Sequence, residues 1–191
     1  MENYKIIVGM LLLFLTSCDK PVVNTDSGMV YTDLKNKEVK FNEISSIDIN
    51  YDGIMDLSFS TLLIGDPVAQ QDKQKYLVTS KTNCFLPVDN QENAPVLKKG
   101  ESIPIENFAE YTWYEIAQIE LAQKVIGMTG APFWEGPWES GNHNYLPVQV
   151  KVNHQRFNGW IELSFDMNAE KIILHKSAIS KLPEKAAIAG I

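Results

Sequence analysis

The sequence is poor in cysteine, histidine and arginine. It holds two cysteines and three histidines, and Arg156 is the one arginine among 17 basic residues. With Cys18 and Cys84 as its cysteines, the chain cannot build a disulfide framework. His143, His154 and His175 lack the spacings of the common histidine metal motifs, so we expect structural or exposed roles for them. The scarcity of arginine is interpreted as a compositional bias.

The sequence also lacks an apolar run long enough to span a membrane. Ile6 to Leu15 is an apolar run of ten residues, whereas a spanning helix needs about 20. The run follows a short polar start and is typical of the hydrophobic region of a secretory signal. Leu15 to Cys18, LTSC, resembles a bacterial lipobox. The resemblance implies that residues 1–17 are a signal peptide and that residues 18–27 are a lipidated cysteine and a linker.

Acylation of Cys18 implies that the membrane is a partner, reached through the lipid anchor. We therefore expect a location in a Gram-negative cell envelope, at the outer membrane or cell surface rather than the inner membrane. The alternative is a secreted protein in which Cys18 is incidental. The net charge of −7 argues against nucleic acid as a partner. A protein or glycan partner stays open.

The chain that follows the signal is long enough for one domain with its own hydrophobic core. We expect a single β-rich domain over residues 28–182 and a tail over residues 183–191 without a clear partner. Cys84 lies beside Phe85 in an apolar stretch and is predicted to be a small buried residue rather than a reactive thiol.

Alternating apolar residues predict a mainly β, sandwich-like fold with a C-terminal antiparallel meander. The segment 108–126 is ambiguous, because its Ala, Gln, Glu and Leu favour a helix while Ile119, Leu121 and Val125 also fit a strand. We predict a helix there, and at most one substantial helix in all. The predicted strands are 57–64, 75–80, 145–152, 159–166 and 171–175, with turns at 153–156 and 167–170 and a long polar loop at 89–100.

A short acidic stretch, IDINYDGIMDLSF, concentrates oxygen-bearing side chains. Asp48, Asn50, Asp52 and Asp56 occur within nine residues, and carboxylate and amide oxygens are the ligands that calcium prefers. The stretch resembles the calcium loops of FG-GAP and VCBS repeats and of thrombospondin type 3 repeats. The resemblance implies that these four side chains and the carbonyl of Ile54 bind calcium. The alternative is a metal-free turn around Asp52 and Gly53.

The segment 131–147 concentrates aromatic and acidic residues. Trp134, Glu135 and Trp138 are candidate ligand-binding residues, because indole rings stack on sugars and carboxylates bind hydroxyl groups. The same residues are also typical of a loop that packs on a core. A glycosidase pair of Glu135 and Glu139 is disfavoured. Since no nucleophile motif or phosphate-binding loop occurs either, we expect a non-catalytic protein.

Much of the chain is similar to a group of uncharacterised Gram-negative lipoproteins. The similarity rests on FWEGPW, YLPVQVKV, FNGWIELSFD and KIILHKSAIS, and on an early acidic loop followed late by the strand GWIEL. This resemblance implies no activity. The sequence therefore leads us to expect an envelope lipoprotein with a structural calcium loop. The alternative is a carbohydrate-binding or carbohydrate-acting surface lipoprotein that uses Trp134 and Trp138.

Overall fold

The computed structural model describes residues 28–191, which form an all-β structure. No helix occurs in this range, so it contains none that could cross a membrane. Cys18, with its predicted acylation, lies outside the described residues. The strands are β1 (Met29–Val39), β2 (Ile44–Ile47), β3 (Leu57–Asp66), β4 (Gln71–Ser80), β5 (Cys84–Val88), β6 (Ser102–Ile103), β7 (Thr112–Glu115), β8 (Gln118–Gly127), β9 (Phe133–Glu135), β10 (Asn144–Val152), β11 (Gln155–Asp166), β12 (Lys171–Ser180) and β13 (Ala187–Ile188).

Two antiparallel sheets face each other across one main core. The larger sheet has the order β1-β12-β11-β10-β5-β7, and the smaller has the order β2-β3-β4-β8-β9. Both sheets contribute to the same apolar cluster, for example Leu146, Ile161 and Leu174 from the larger sheet and Phe59 and Leu121 from the smaller. The prediction of a mainly β, sandwich-like fold is therefore confirmed.

The predicted C-terminal meander is confirmed as β10, β11 and β12. Val152 pairs with Gln155, which leaves a two-residue turn in which Asn153 and His154 both have positive φ. Such φ values are those of the turns that join tightly paired antiparallel strands. Asp166 pairs with Lys171 across the second turn. Strand β11 runs without a break through Asn158 and Gly159, so that dipeptide forms no turn.

The prediction of a helix over 108–126 is wrong. This segment contains β7 and nearly all of β8, which are separated by Ile116, with a φ of 56°, and Ala117. Strand β8 lies inside the smaller sheet, between β4 and β9, and buries Ile119, Leu121 and Val125. Pairing on both edges and burial of one face outweigh the modest helix propensity of its Ala, Gln and Glu residues.

The outer face of the larger sheet carries a second apolar cluster. Trp160 and Tyr145 pack there with Ile103, Ala187 and Ala189. Residues 183–191, for which the sequence offered no partner, contain β13, which pairs with β6 as a two-stranded ribbon. The ribbon covers part of the outer face of the meander. Most of β10, the middle of β11 and the C-terminal half of β12 are therefore buried on both faces.

Buried polar groups connect this ribbon to the larger sheet. The Nδ2 atom of Asn158, which has no exposed surface, donates to the carbonyls of Ile103 at 2.8 Å and Pro104 at 2.9 Å. Its Oδ1 atom accepts a 2.9 Å hydrogen bond from Gln149, which also donates to the carbonyl of Ile105. These bonds satisfy carbonyls that would otherwise be buried without a partner.

Arg156 connects three segments at one edge of the outer face. Its guanidinium donates to Glu106 and to Glu184 at 2.7 Å each, and to the carbonyl of Ile105 at 3.5 Å. Arginine suits this role because its planar fork can bind several acceptors at once. The single arginine of the chain therefore fixes the segments on either side of the β6–β13 ribbon.

Gly159 provides the first test of this double-sided packing. A Cβ atom at this position would lie 2.3 Å from the carbonyl oxygen of Ala178 and 3.0 Å from Ile179. Because the backbone of Ala178 would have to move to make room, we expect Gly159→Ala to lower the free energy of unfolding by about 1–3 kcal/mol. Gly65→Ala is the matched control, because its Cβ would meet only the Asp72 side chain, at 3.4 Å. Urea denaturation of both variants measures the difference, and equal stabilities would contradict the close approach.

Candidate functional site

The acidic loop, residues 48–56, connects β2 to β3. Ile47 pairs with Leu57 directly across the two strands, and the Asp56 N–H donates to the carbonyl of Ile47 at 2.9 Å. The loop is therefore closed at its base by the end of an antiparallel ladder. Apolar residues on both sides, Ile49 and Leu57 among them, are buried in the main core. The position of the loop is thus fixed by the sandwich itself.

Asp48, Asn50 and Asp52 bind backbone N–H groups within the loop. Asp48 accepts from Tyr51 at 2.7 Å and from Gly53 at 2.8 Å. Asn50 accepts from the N–H of Asp52 at 3.1 Å and donates its amide to the Asp52 carboxylate at 3.0 Å. This is the pattern by which short Asx side chains stabilise turns. Tyr51 and Gly53 have φ values of 62° and 88°, which the tight curl requires.

Ile54 is placed at the outside of this loop. Its N–H donates to Asp52 at 2.8 Å, and its side chain is 67% exposed. Met55, beside it, is 48% exposed. The loop therefore turns its carboxylates toward its own backbone and the side chains of Ile54 and Met55 toward solvent.

Asp56 differs from the other three predicted ligands because it is buried. It is only 4% exposed, and its Oδ2 atom accepts a 2.8 Å hydrogen bond from the Ile49 N–H. Burial and, to a smaller extent, the neighbouring charges of Asp52 and Asp48 raise the pKa of its carboxyl to about 6, although the Ile49 hydrogen bond lowers it. Among residues 28–191, no ion pair joins these three carboxylates to a basic side chain.

The predicted ligands lie in one loop, but their carboxylates alone do not converge on a single point where a metal ion could bind. Within the described residues, no three His, Cys, Asp or Glu side chains are placed to hold a metal ion. A cation bound here would use the amide oxygen of Asn50 and backbone carbonyls as well, as oxygen-rich calcium sites do. The hydrogen bonds that the loop forms without a cation correspond to the metal-free alternative.

The three candidate ligand-binding residues of segment 131–147 have different environments. Trp138 has no exposed surface and belongs to the main core, and its Nε1 atom has no hydrogen-bond partner within the described residues. Trp134 is half-buried and packs edge-on against Phe165, with ring centroids 5.1 Å apart. Glu135 is exposed and accepts a 2.8 Å hydrogen bond from Gln123. The two indoles therefore present no shared exposed platform.

A polar network on the outer face of the larger sheet was not singled out by the sequence. The rings of His143 and His175 stack with centroids 4.1 Å apart, and His143 Nδ1 lies 2.6 Å from Glu162. His175 contacts Ser164 through Nε2 at 2.8 Å and Asn36 through Nδ1 at 2.7 Å. These residues come from β1, β11, β12 and the residue before β10, so their convergence depends on strand register.

The acid–base chemistry of this network follows from its burial. Partial burial and the neighbouring His143 lower the pKa of His175, so its imidazole is neutral at pH 7. With Asn36 accepting from Nδ1, the Ser164 hydroxyl donates to Nε2 and accepts from the His143 N–H at 2.9 Å. Ser164 is itself buried. The network therefore connects a loop to three strands, in the structural role expected for these histidines.

Cys84 has no exposed surface, which confirms that it is a small buried residue. Burial raises the pKa of its thiol well above its usual range, and the charge of Asp56 adds to the effect. The thiolate that reactive cysteines require is therefore disfavoured here.

Comparisons with family models, with curated proteins and with solved structures give no match for this chain. Its function is therefore argued from the residues of the acidic loop, of segment 131–147 and of the N-terminal lipobox.

Proposed function

We propose that this protein is a non-catalytic cell-envelope lipoprotein whose loop 48–56 binds calcium in a structural role. The observation that carries the calcium proposal is Asp56. Its carboxylate is buried beside Asp48 and Asp52, and the described residues supply no basic partner. An ionised carboxylate without a partner is expensive to bury, and a bound cation is one way to offset that cost.

The chemistry of the donors favours calcium among the common cations. The predicted ligands, Asp48, Asn50, Asp52, Ile54 and Asp56, offer only oxygen atoms, which suit hard cations rather than zinc or copper. Calcium also accepts irregular coordination by carboxylates, amides and carbonyls, whereas magnesium demands a near-ideal octahedron. In this proposal the ion connects the loop to the start of β3 and so fixes the edge of the smaller sheet.

The lipoprotein part of the proposal rests on the lipobox. Acylation of Cys18 would fasten the β domain to a membrane of the Gram-negative envelope, with the outer membrane or cell surface favoured. An acidic, single-domain β structure without a histidine metal motif or nucleophile motif supports a binding or assembly role for the anchored domain rather than catalysis.

The carbohydrate alternative gains no support from the position of Trp138. A sugar stacks on the exposed face of an aromatic ring, and Trp138 offers none. Trp134 alone remains partly accessible, with its ring held against Phe165 and Tyr76. The burial of these rings favours the packing interpretation of segment 131–147.

Calcium binding is tested by thermal unfolding of the purified protein with excess calcium and with chelator. A ligand at 100 times its dissociation constant stabilises the folded state by about 2.7 kcal/mol, and each kcal/mol raises the melting temperature of a domain of this size by about 2–4 °C. We expect a gain of several degrees that Asp52→Ala abolishes. The control Asp72→Asn, at an exposed position of β4, should keep the full gain. A calcium-independent melting temperature in protein that elemental analysis finds free of metal would refute the proposal.

The pH dependence of Asp56 gives a second prediction. Its folded pKa of about 6 exceeds the ordinary value, so its contribution to stability is present in acid and is lost as pH rises through 6. A shift of about two pKa units corresponds to roughly 3 kcal/mol. Without calcium, we expect Asp56→Asn to raise the free energy of unfolding at pH 8 by up to this amount and to change it little at pH 4.

The same variant separates burial from metal binding. Asparagine keeps an oxygen to accept the Ile49 N–H but removes the charge that calcium needs, so we expect Asp56→Asn to lose most of the calcium stabilisation. Urea denaturation at pH 4 and pH 8, with and without calcium, gives all four values. A variant that is less stable than the parent at pH 8 in chelator would contradict the buried, ionised state of Asp56.

The two interpretations of segment 131–147 predict different results for Trp138→Ala. Truncating a fully buried tryptophan costs about 3–5 kcal/mol, so we expect a large loss of stability, measured by urea denaturation. Glu135→Gln, at an exposed site, is the control and should leave stability unchanged. If Trp138→Ala stays as stable as the parent and instead abolishes binding on a glycan array, the carbohydrate alternative is favoured.

A further inference from the structure

The acidic loop and the first described residue, Gly28, lie at the same end of the sandwich. The carbonyl of Gly28 accepts a 2.7 Å hydrogen bond from Lys181, just after β12. Val30 and Lys181 line the same groove as Asn50 and Asp52 of the loop. The residue nearest to the predicted anchor in the described chain therefore lies beside the acidic loop. We refer to this region as the anchor end.

The anchor end exposes apolar side chains in an arrangement unlike an ordinary solvated turn. Ile54 and Met55 project from the loop with 67% and 48% of their surface exposed, and Tyr51 is 59% exposed. The groove beside them, of about 290 Å³, is lined mainly by apolar side chains: Val30, Val150, Val152, Phe157 and Ile179. An apolar tip thus continues into an apolar groove.

The charges of the anchor end are arranged so that this apolar surface can meet a lipid headgroup layer. Asp48 and Asp52 direct their carboxylates toward N–H groups of the loop itself. An exposed lysine, Lys81, lies at the same end, where its backbone N–H donates to the carbonyl of Asp56 at 2.8 Å. A lysine ammonium beside an apolar tip matches the phosphate groups above acyl chains.

The length of the tether favours the anchor end over the opposite end of the sandwich. Nine residues lie between Cys18 and Gly28, so the chain between these two residues spans at most about 36 Å when fully extended. The opposite end also exposes apolar side chains, Val68 at 94% and Met128 at 79%. It lies farther away by the length of β3, about 33 Å, so it meets the bilayer only if the tether is almost fully extended. The anchor end needs no such extension, and an anchor at Cys18 therefore favours its contact with the bilayer.

We propose that the tip formed by Ile54 and Met55 docks into the headgroup layer of the bilayer that carries the lipid anchor. This inference rests on the proposed lipoprotein function, because the anchor sets which end faces the membrane. The partner is a lipid surface, and the net charge of −7 favours zwitterionic over anionic lipids. Docking would orient the domain on the membrane, with the turn at Val68 pointing away from it.

The test uses the full chain, produced in a Gram-negative host and reconstituted in phosphatidylcholine vesicles with calcium present. A polarity-sensitive fluorophore is attached at Met55→Cys or, as the matched control, at Val68→Cys. Cys84 is buried and should not react. We expect blue-shifted emission at position 55 that lipids brominated in their acyl chains quench, and aqueous, unquenched emission at position 68.

A further variant measures what the tip contributes. Replacing Ile54 by serine removes one of the two inserting side chains, which corresponds to about a tenfold weaker insertion. We therefore expect Ile54→Ser to reduce quenching at position 55 strongly, whereas Leu182→Ser, at another exposed apolar residue near the anchor end, should reduce it little.

Mass spectrometry of the purified protein separates the two possible failures. If Cys18 carries acyl chains but position 55 is as aqueous as position 68, the docking proposal is overturned while the lipoprotein proposal stands. If Cys18 is unmodified, the lipoprotein proposal fails, and the docking inference fails as well because it depends on the anchor. Acylation together with quenching confined to position 55 supports both.

Discussion

The burial of the C-terminal meander on both faces is the constraint on which the rest of the structure depends. Strands β10, β11 and β12 contribute one row of side chains to the main core and the alternate row, including Tyr145, Trp160 and Ala178, to the outer cluster. Where the outer cluster covers these strands, their residues are buried on both faces instead of alternating between buried and solvated positions. Its polar residues must be satisfied internally, as Asn158 is, and the backbone must approach its neighbours closely, as at Gly159.

The acidic loop differs from the meander, where buried polar groups such as Asn158 are satisfied internally. It concentrates negatively charged side chains at the end of the smaller sheet. The carboxylate of Asp56 lies close enough to the core to affect the thiol of Cys84, while Asp48 and Asp52 remain at the surface. The loop's own hydrogen bonds hold its shape, but they do not neutralise Asp56. Natural proteins tolerate such local conflicts mainly at sites that serve a function. This conflict makes the loop the most informative place in the fold to look for a ligand.

Sequence patterns predicted the meander because apolar residues recur at every second position of its strands and its turns are short. They failed at residues 118–127, where Ala122, Gln123 and Lys124 suit a helix in isolation and pairing with two neighbouring strands decides the outcome. The outer cluster could not be predicted from the sequence either, because β13 and β6 have two residues each and are brought together only by the tertiary fold. The residues of the acidic loop are close together in the sequence and could be proposed as a site from it. The histidine network could not, since it joins Asn36 to His175.

The pairing of β1 with β12 has a consequence for the order in which the chain can fold. Met29 pairs with Ser180, and β13 closes the outer cluster only after that. As the chain emerges with its N-terminus first, the strands of the smaller sheet become available before β12 does, so β1 lacks its partner strand until late. Long-range pairing is slow, and an exposed strand edge is a template for aggregation. The interval between the emergence of β1 and that of β12 is therefore when the unpaired edge of β1 is most exposed to aggregation.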